Sequence, residues 1–374
     1  MKMDKKAFKI FTILSVFMIS PLQVGHAQAT VDDKYLLLEK SQIEKNSISG
    51  LRNVPAKLLP IPKNLSPELT EAIKAPYNSP RWYGNHAETK AEWKKIVNES
   101  TAKSLKNIPK IQSDLSVNIK PLTIGNVNAF EITPRNIENS KKDKIIVYFH
   151  GGGYVYNPGL AGSLEAMQMA SEGGYRVISV DYRMPPDSPY PAALNDALTV
   201  YKELLKNYDP SKISIFGTSA GGGLTMALML KVKAEKLPFP AAIGLGTPWM
   251  DLTADGGGDT INTLEWVDNT LISARGYISR SSILYANGES LTNPYISPIF
   301  GNYEGLPPVI IISGTRDLFL SQSVLTHRKF KQAGIEADLQ LWDGMAHAQY
   351  EVYKAPESKE VFKEMSQFFT KHMK

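Results

Sequence analysis

Residues 213–224 read Ile-Ser-Ile-Phe-Gly-Thr-Ser-Ala-Gly-Gly-Gly-Leu, an apolar run that meets a Gly-x-Ser-x-Gly bend and then a helical pattern. No loop residues separate the two patterns. A strand that must enter a helix this abruptly can do so only where β-carbons are missing, and Gly217 and Gly221 stand two residues either side of Ser219. Such a helix has to pack back onto the sheet its strand belongs to, which confines the chain to an α/β arrangement. The plainer alternative is an ordinary helix-entry turn with Ser219 as its cap.

The rest of the chain agrees with the first reading. Val117–Ile124 and Val127–Thr133 flank Gly125-Asn126, the signature of an antiparallel hairpin. Six short apolar runs follow: Ile145–Phe149, Val177–Val180, Ile213–Phe216, Ala242–Leu245, Val309–Ile312 and Leu339–Leu341. Continuous apolar runs of this length suit parallel strands covered on both faces. Between them lie amphipathic stretches such as Ala192–Asn207, Ala220–Glu235 and Ser321–Ala333. The expected fold is α/β, a mostly parallel eight-stranded sheet with helices on both faces. Ligands of such sheets sit at the carboxyl ends of the strands.

Ahead of the hairpin the pattern differs. Residues 30–115 are rich in Lys and Glu, with helical spacing over Val31–Lys45, a Ser66-Pro67-Glu68 helix start, and a second periodic segment over Ala87–Leu105. This suits a helical cap better than an independent domain, and places the main domain at 116–374. At the amino terminus Lys2, Lys5, Lys6 and Lys9 precede the apolar Ile10–Ile19 and the small-residue stretch Gly25–Ala29. That pattern is expected of a signal peptide over residues 1–29, cut after Ala27 or Ala29, with export to the periplasm or medium. The alternative is an uncleaved membrane anchor, but the apolar core is about half the ~20 residues that span a bilayer. No other apolar run approaches that length, so no membrane insertion is expected after cleavage.

Residues 1–29 carry four Lys and one Asp, so the formal charge of +5 falls to about +2 without them. A near-neutral surface gives no reason to expect nucleic acid as a partner. The absence of cysteine excludes a disulfide framework, thiolate metal sites and a cysteine nucleophile.

The chemistry-bearing residues fall at strand ends. Ser219, on its tight bend, is the candidate nucleophile, and a serine hydroxyl needs a base to take its proton. Five histidines follow the leader. His372 is terminal, His327 lies in a charged helical pattern, His86 in the cap segment and His150 in a glycine run, which leaves His347 in the loop after the last strand. Asp317, directly after Val309–Ser313, would orient that imidazole; Asp343, four residues before His347, is a rival. The order Ser219, Asp317, His347 is that of α/β-hydrolases. A tetrahedral oxyanion needs preset donors, and the N–H groups of Gly151, Gly152, Gly153 and Ala220 are the candidates. The glycine run matches neither G-x-x-x-x-G-K-[ST] nor a strand–helix G-x-G-x-x-G, so it does not read as a phosphate loop.

Several motifs together resemble the hormone-sensitive-lipase-like esterases, the bacterial family IV carboxylesterases. They are His150–Tyr154, Asp181-Tyr182-Arg183 with Tyr190-Pro191-Ala192-Ala193 and Asp196, Gly217–Gly222, Asn293-Pro294 with Ser297-Pro298, Gly314–Asp317, and Gly344-Met345 with His347. The resemblance covers about Val117 to the end. It implies the α/β-hydrolase fold, hydrolysis of small-molecule esters with short acyl chains, no cofactor and no metal. It also implies a cap built from the amino-terminal region and an insertion at about Thr253–Thr292, and family members are often homodimers. Thr218 stands where many members have Asp, so the chain resembles the Thr-bearing subgroup, and Met184–Asp187 departs from the usual Leu-Ala-Pro-Glu.

Alternatives on the same machinery are an amidase, a deacetylase or a lactonase. From another class, a non-catalytic small-molecule receptor would usually have lost a triad member. Tyr154 and Trp249 are candidate substrate-binding residues, with Tyr156, Trp266, Tyr295, Trp82 and Tyr83 as further aromatics that could line a pocket or fill the core.

Overall fold

The computed structural model describes residues 41, 45, 54, 56, 58–77, 87–253 and 256–374. The signal-peptide reading, almost all of the first expected helix, and Trp82, Tyr83 and His86 lie outside the described residues. Residues 61–374 form one compact unit, so residues 61–77 and 87–115 belong to the same body as the sheet.

Eight strands form one sheet: β1 (Val117–Ile124), β2 (Val127–Pro134), β3 (Ile145–Phe149), β4 (Arg176–Val180), β5 (Ile213–Thr218), β6 (Ala242–Gly246), β7 (Val309–Gly314) and β8 (Ala337–Trp342). Their order is β1-β2-β4-β3-β5-β6-β7-β8. β1, β2 and β4 pair antiparallel, and every pairing from β4–β3 to β7–β8 is parallel. The expected fold is thus the observed one. β3, β5, β6 and β7 are buried at every position, which is why they read as unbroken apolar runs rather than alternating ones.

Alternate residues feed two separate cores. Val147 and Phe149 of β3 and Ile213 and Ile215 of β5 pack with α4 (Ala192–Leu204), α5 (Ala220–Ala234) and α8 (Leu320–Gln332) on one face. Ile146 and Tyr148, with Phe216, Ile310 and Ile312, pack on the other face with α3 (Leu164–Gly173) and α9 (Pro356–His372). In α9 the buried Val361, Phe362, Met365, Phe368 and Phe369 recur at helical spacing, and Pro356 starts the helix where no N–H is needed. Each such side chain contributes roughly 1.5–3 kcal/mol by leaving water.

Among the described residues, two complete helices precede the sheet. α1 (Pro67–Lys74) starts at Ser66, whose Oγ accepts from Leu69 N at 3.1 Å. α2 (Lys90–Asp114) opens with a capping box between Thr89 and Glu92. The periodic pattern predicts its end near Leu105, yet the helix continues through Pro109 to Asp114. The carbonyl that Pro109 cannot pair with belongs to Leu105, an exposed residue, so water can satisfy it. Ile108 and Leu115 meanwhile anchor the extension in the second core.

The insertion after β6 is irregular. It holds the short α6 (Thr260–Thr263), a π-type turn at Ala274–Ile278 and α7 (Ser279–Ala286).

Candidate active site

Ser219 sits between β5 and α5 with φ 55° and ψ −120°. This conformation costs a non-glycine residue about 1–3 kcal/mol and persists only where its surroundings enforce it. Here Ser219 N–H donates to Gly246 O at 2.8 Å, and Ser219 O accepts from Trp249 N at 2.9 Å and Gly223 N at 3.1 Å. The glycines are required by close approach. A β-carbon on Gly217 would lie 2.2 Å from Gly221 O, and one on Gly221 only 1.9 Å from Phe149 O. The start of α5 therefore rests directly on the end of β3, and the bend presents Ser219 Oγ above the sheet.

His347 and Asp317 meet it there. His347 Nε2 lies 2.9 Å from Ser219 Oγ, and Nδ1 lies 2.9 Å from Asp317 Oδ1. A carboxylate facing Nδ1 fixes the proton on that nitrogen, so Nε2 accepts from the serine hydroxyl. Asp317 Oδ1 also accepts from Phe319 N at 2.9 Å, and Oδ2 accepts from Ser313 Oγ at 2.7 Å. The three residues are nearly closed to solvent: Ser219 is 7% exposed, His347 4% and Asp317 0%. Burial opposes a charged imidazole most strongly. The nearby charges of Asp317, Asp268 and Glu351, with the Asp317 hydrogen bond, outweigh it and raise the His347 pKa above its ordinary value of 6.5.

The rival acid does not reach the ring. Asp343 is exposed and accepts from Thr315 Oγ1 at 3.2 Å. Of the other histidines, His150 stacks on Tyr182 with centroids 4.3 Å apart and bonds Gly151 O at 2.8 Å, while His327 faces Ala337 O at 3.3 Å.

The glycine run passes beside the nucleophile. A β-carbon on Gly151 would lie 3.3 Å from Ser219 Cβ. Gly152 has φ 117°, a conformation that only glycine adopts readily. Its carbonyl accepts from Tyr156 N at 2.9 Å, Val155 N at 3.0 Å and Tyr277 Oη at 3.1 Å, which pins the loop from within and from the insertion. Among the described residues, the N–H groups of Gly152, Gly153 and Ala220 engage no acceptor. Donors left open beside a serine hydroxyl are what a developing oxyanion requires.

Tyr154 and Trp249, candidates for substrate contact, are both buried and packed against other rings. Tyr154 is 1% exposed and stacks on Tyr285 at 3.8 Å between centroids. Trp249 stacks on Phe319, donates from Nε1 to Asp251 O at 2.9 Å, and borders a gap of only about 10 Å³. Space that small scarcely holds one water. Rings large enough to line a pocket are equally able to fill the core beneath it, and sequence alone does not separate the two.

Three supporting groups had no sequence signal. Thr218 Oγ1 donates to buried Glu165 and lies 2.7 Å from Tyr350 Oη, anchoring the bend from below. Burial, reinforced by the charge of Glu351, pushes the Glu165 carboxyl well above its usual range. Between α2 and this cluster lies a cavity of about 190 Å³ lined by Asn107, Ile108, His150, Gly151, Glu165 and Glu351, among others. Tyr277, from the insertion, holds the glycine loop. Asp268, also from the insertion, brings its carboxylate within 4.8 Å of Asp317 and His347. Two acids and an imidazole could in principle hold a cation. The Asp268 oxygens, however, accept from Thr270, Leu271, Leu318 and His347 N–H groups, which commits their lone pairs to the backbone.

Comparison with known proteins agrees with this geometry. A family profile described as alpha/beta hydrolase fold matches residues 146–351. An acetyl-hydrolase of Streptomyces hygroscopicus is 27% identical over 60% of this chain and 73% of its own length. An esterase of Acinetobacter venetianus (strain RAG-1) is 27% identical over 68% of this chain and 82% of its own. Among solved structures, esterase E25 superposes with a TM-score of 0.83 at 35% identity, covering 87% of this chain and 100% of that one. An esterase from the bacterial hormone-sensitive lipase family gives 0.69 at 28% identity, covering 83% and 99%. The chain belongs to the α/β-hydrolase-fold family, in its hormone-sensitive-lipase-like branch of carboxylic ester hydrolases.

Proposed function

We propose that the chain hydrolyses short-acyl esters through an acyl-enzyme on Ser219. The observation that carries this reading is the single imidazole 2.9 Å from both Ser219 Oγ and Asp317 Oδ1. His347 Nε2 takes the hydroxyl proton as Oγ bonds to the ester carbonyl carbon, and Asp317 stabilises the imidazolium that results. The oxyanion accepts from the open N–H groups of Gly152, Gly153 and Ala220, each such donor being worth about 3–4 kcal/mol of barrier. Collapse breaks the carbonyl–alkoxy bond, with the proton passing from Nε2 to the departing alcohol. Water then attacks the acyl-serine, gives its proton to His347, and releases the acid with Ser219 restored.

The short-acyl preference is supported by the family resemblance and by relatives named acetyl-hydrolase. The test is a panel of p-nitrophenyl esters from C2 to C12 together with matched anilides and lactones. Highest kcat/KM at C2–C4, lost in Ser219→Ala, supports the reading. Preference for the anilides or lactones would move the chain to the amidase or lactonase alternative, and an inert wild type would favour a receptor.

A further inference from the structure

Among its described residues the insertion carries a buried acid, Asp268, with no place in the reaction above. Asp268 is fully buried, and its hydrogen-bond partners among the described residues are all backbone N–H groups. Oδ1 accepts from Thr270 N at 2.7 Å and Leu271 N at 2.9 Å, within its own loop. Oδ2 accepts from Leu318 N at 2.8 Å and His347 N at 3.2 Å. Leu318 is the residue after the acid of the triad, and His347 is its base. One oxygen therefore joins the loops after β7 and β8, alongside the Asp317–His347 bond and the backbone bond from Arg316 N to Met345 O at 3.0 Å. Burial pushes its carboxyl above the usual range, and against this the charge of His347 and four N–H donors, with no acceptor for a carboxyl proton, favour the carboxylate.

The neighbouring residue extends the link. Asn269 Nδ2 donates to the last carbonyls of α1, Ala72 O at 2.9 Å and Ala75 O at 3.1 Å, and Asn269 Oδ1 accepts from Gln349 Nε2 at 2.8 Å. Gln349 Oε1 in turn accepts from Ala346 N at 2.9 Å, beside His347. The insertion, the first helix and the histidine loop are thus one hydrogen-bonded assembly.

We propose that Asp268 is a positioning residue that brackets the acid-bearing and base-bearing loops and keeps a second negative charge behind the imidazolium. This rests on the triad reading above. The charged groups around His347 are Asp317 from the β7 loop, Asp268 from the insertion and Glu351 from the histidine's own loop. Neutralising Asp268 removes one of them. It also sets an amide Nδ2–H against backbone N–H groups, which loosens the bracket.

The test uses Asp268→Asn and Asp268→Glu in the full chain, with p-nitrophenyl acetate as substrate. Asp268→Asn is expected to fold with unchanged near-ultraviolet circular dichroism and to lose kcat by about 10- to 100-fold, the cost of a small misplacement of reacting groups. KM is expected to stay within about twofold. The acid limb of kcat/KM is expected to move down by about one unit, because the imidazolium has lost a stabilising charge. A merely structural role would not move that limb. Asp268→Glu keeps the charge and should restore the limb while leaving kcat low. A folded Asp268→Asn with wild-type kcat and an unmoved limb overturns the proposal. Should that variant fail to fold, hydrogen exchange in the unmodified protein decides: Leu318 and His347 amides as protected as those of Thr270 and Leu271 support the bracket, and rapid exchange at the first pair overturns it. Ser219→Ala separates the two ideas. Activity surviving there removes the triad reading and this inference with it, whereas a dead Ser219→Ala beside an unaffected Asp268→Asn removes the inference alone.

Discussion

Ser219, Asp317 and His347 all stand just beyond carboxyl ends of strands, on β5, β7 and β8, whereas Asp268 and Tyr277 come from the irregular insertion after β6. The first set is held by a parallel ladder and by strands buried along their length up to the edge strand. The second set is held by side-chain-to-backbone hydrogen bonds from Tyr277 to Gly152 and from Leu318 and His347 to Asp268. Reacting groups thus sit at the ends of the sheet's strands, while a segment with little regular structure hydrogen-bonds to the loops that carry them. Loss of a framework group should abolish turnover; loss of an insertion group should weaken it.

The largest effect is expected at the acid. Asp317→Asn should lower kcat by roughly 10³- to 10⁴-fold, since the amide no longer fixes the Nδ1 proton. In the wild type, kcat/KM should fall as pH drops through a His347 pKa above 6.5, because protonated imidazole cannot accept the serine proton. A pH–rate profile of both proteins checks these points together. If the loss at Asp317 were no larger than at an insertion residue, the contrast between framework and insertion would not hold.

Next is a framework position with no chemistry. In Gly221→Ala the new methyl would meet Phe149 O at 1.9 Å and His150 O at 2.7 Å, both backbone atoms that cannot swing aside. Urea denaturation should show a loss of about 3 kcal/mol or more, beyond the usual cost of overpacking. Tyr277→Phe should cost less. It removes one hydrogen bond to the Gly152 carbonyl, about 1 kcal/mol, read as a fall of up to roughly tenfold in kcat with stability little changed. Asp343→Asn should change kcat/KM by less than about twofold, as an exposed residue bonded only to Thr315 among the described residues. A large effect there would return the rival acid to consideration.

The same contrast explains what was legible in the sequence. A strand buried on both faces must be apolar throughout, so β3 and β5 to β7 announce themselves, and the glycines of the bend announce a close approach that admits no β-carbon. The order of Ser219, Asp317 and His347 follows from the order of those strands. Asp268 had no such signal, because a single acid in a polar loop looks like solvated surface until the loop after β7 is folded against it. Tyr154 and Trp249 are the converse case: their size suits a pocket wall and a core equally, and in the fold they lie buried against Tyr285 and Phe319. The continuation of α2 through Pro109 was hidden because a proline reads as a stop, although Leu105, whose carbonyl it strands, is exposed.

The central claim is that His347 activates Ser219 and no other hydroxyl. The direct measurement is mass-spectrometric mapping of the adduct formed with an alkyl fluorophosphonate, with its rate compared between wild type and His347→Ala. The account predicts one adduct per chain, on the peptide bearing Ser219, formed orders of magnitude more slowly without the imidazole. An adduct on another residue, or a rate unaffected by losing His347, would contradict it.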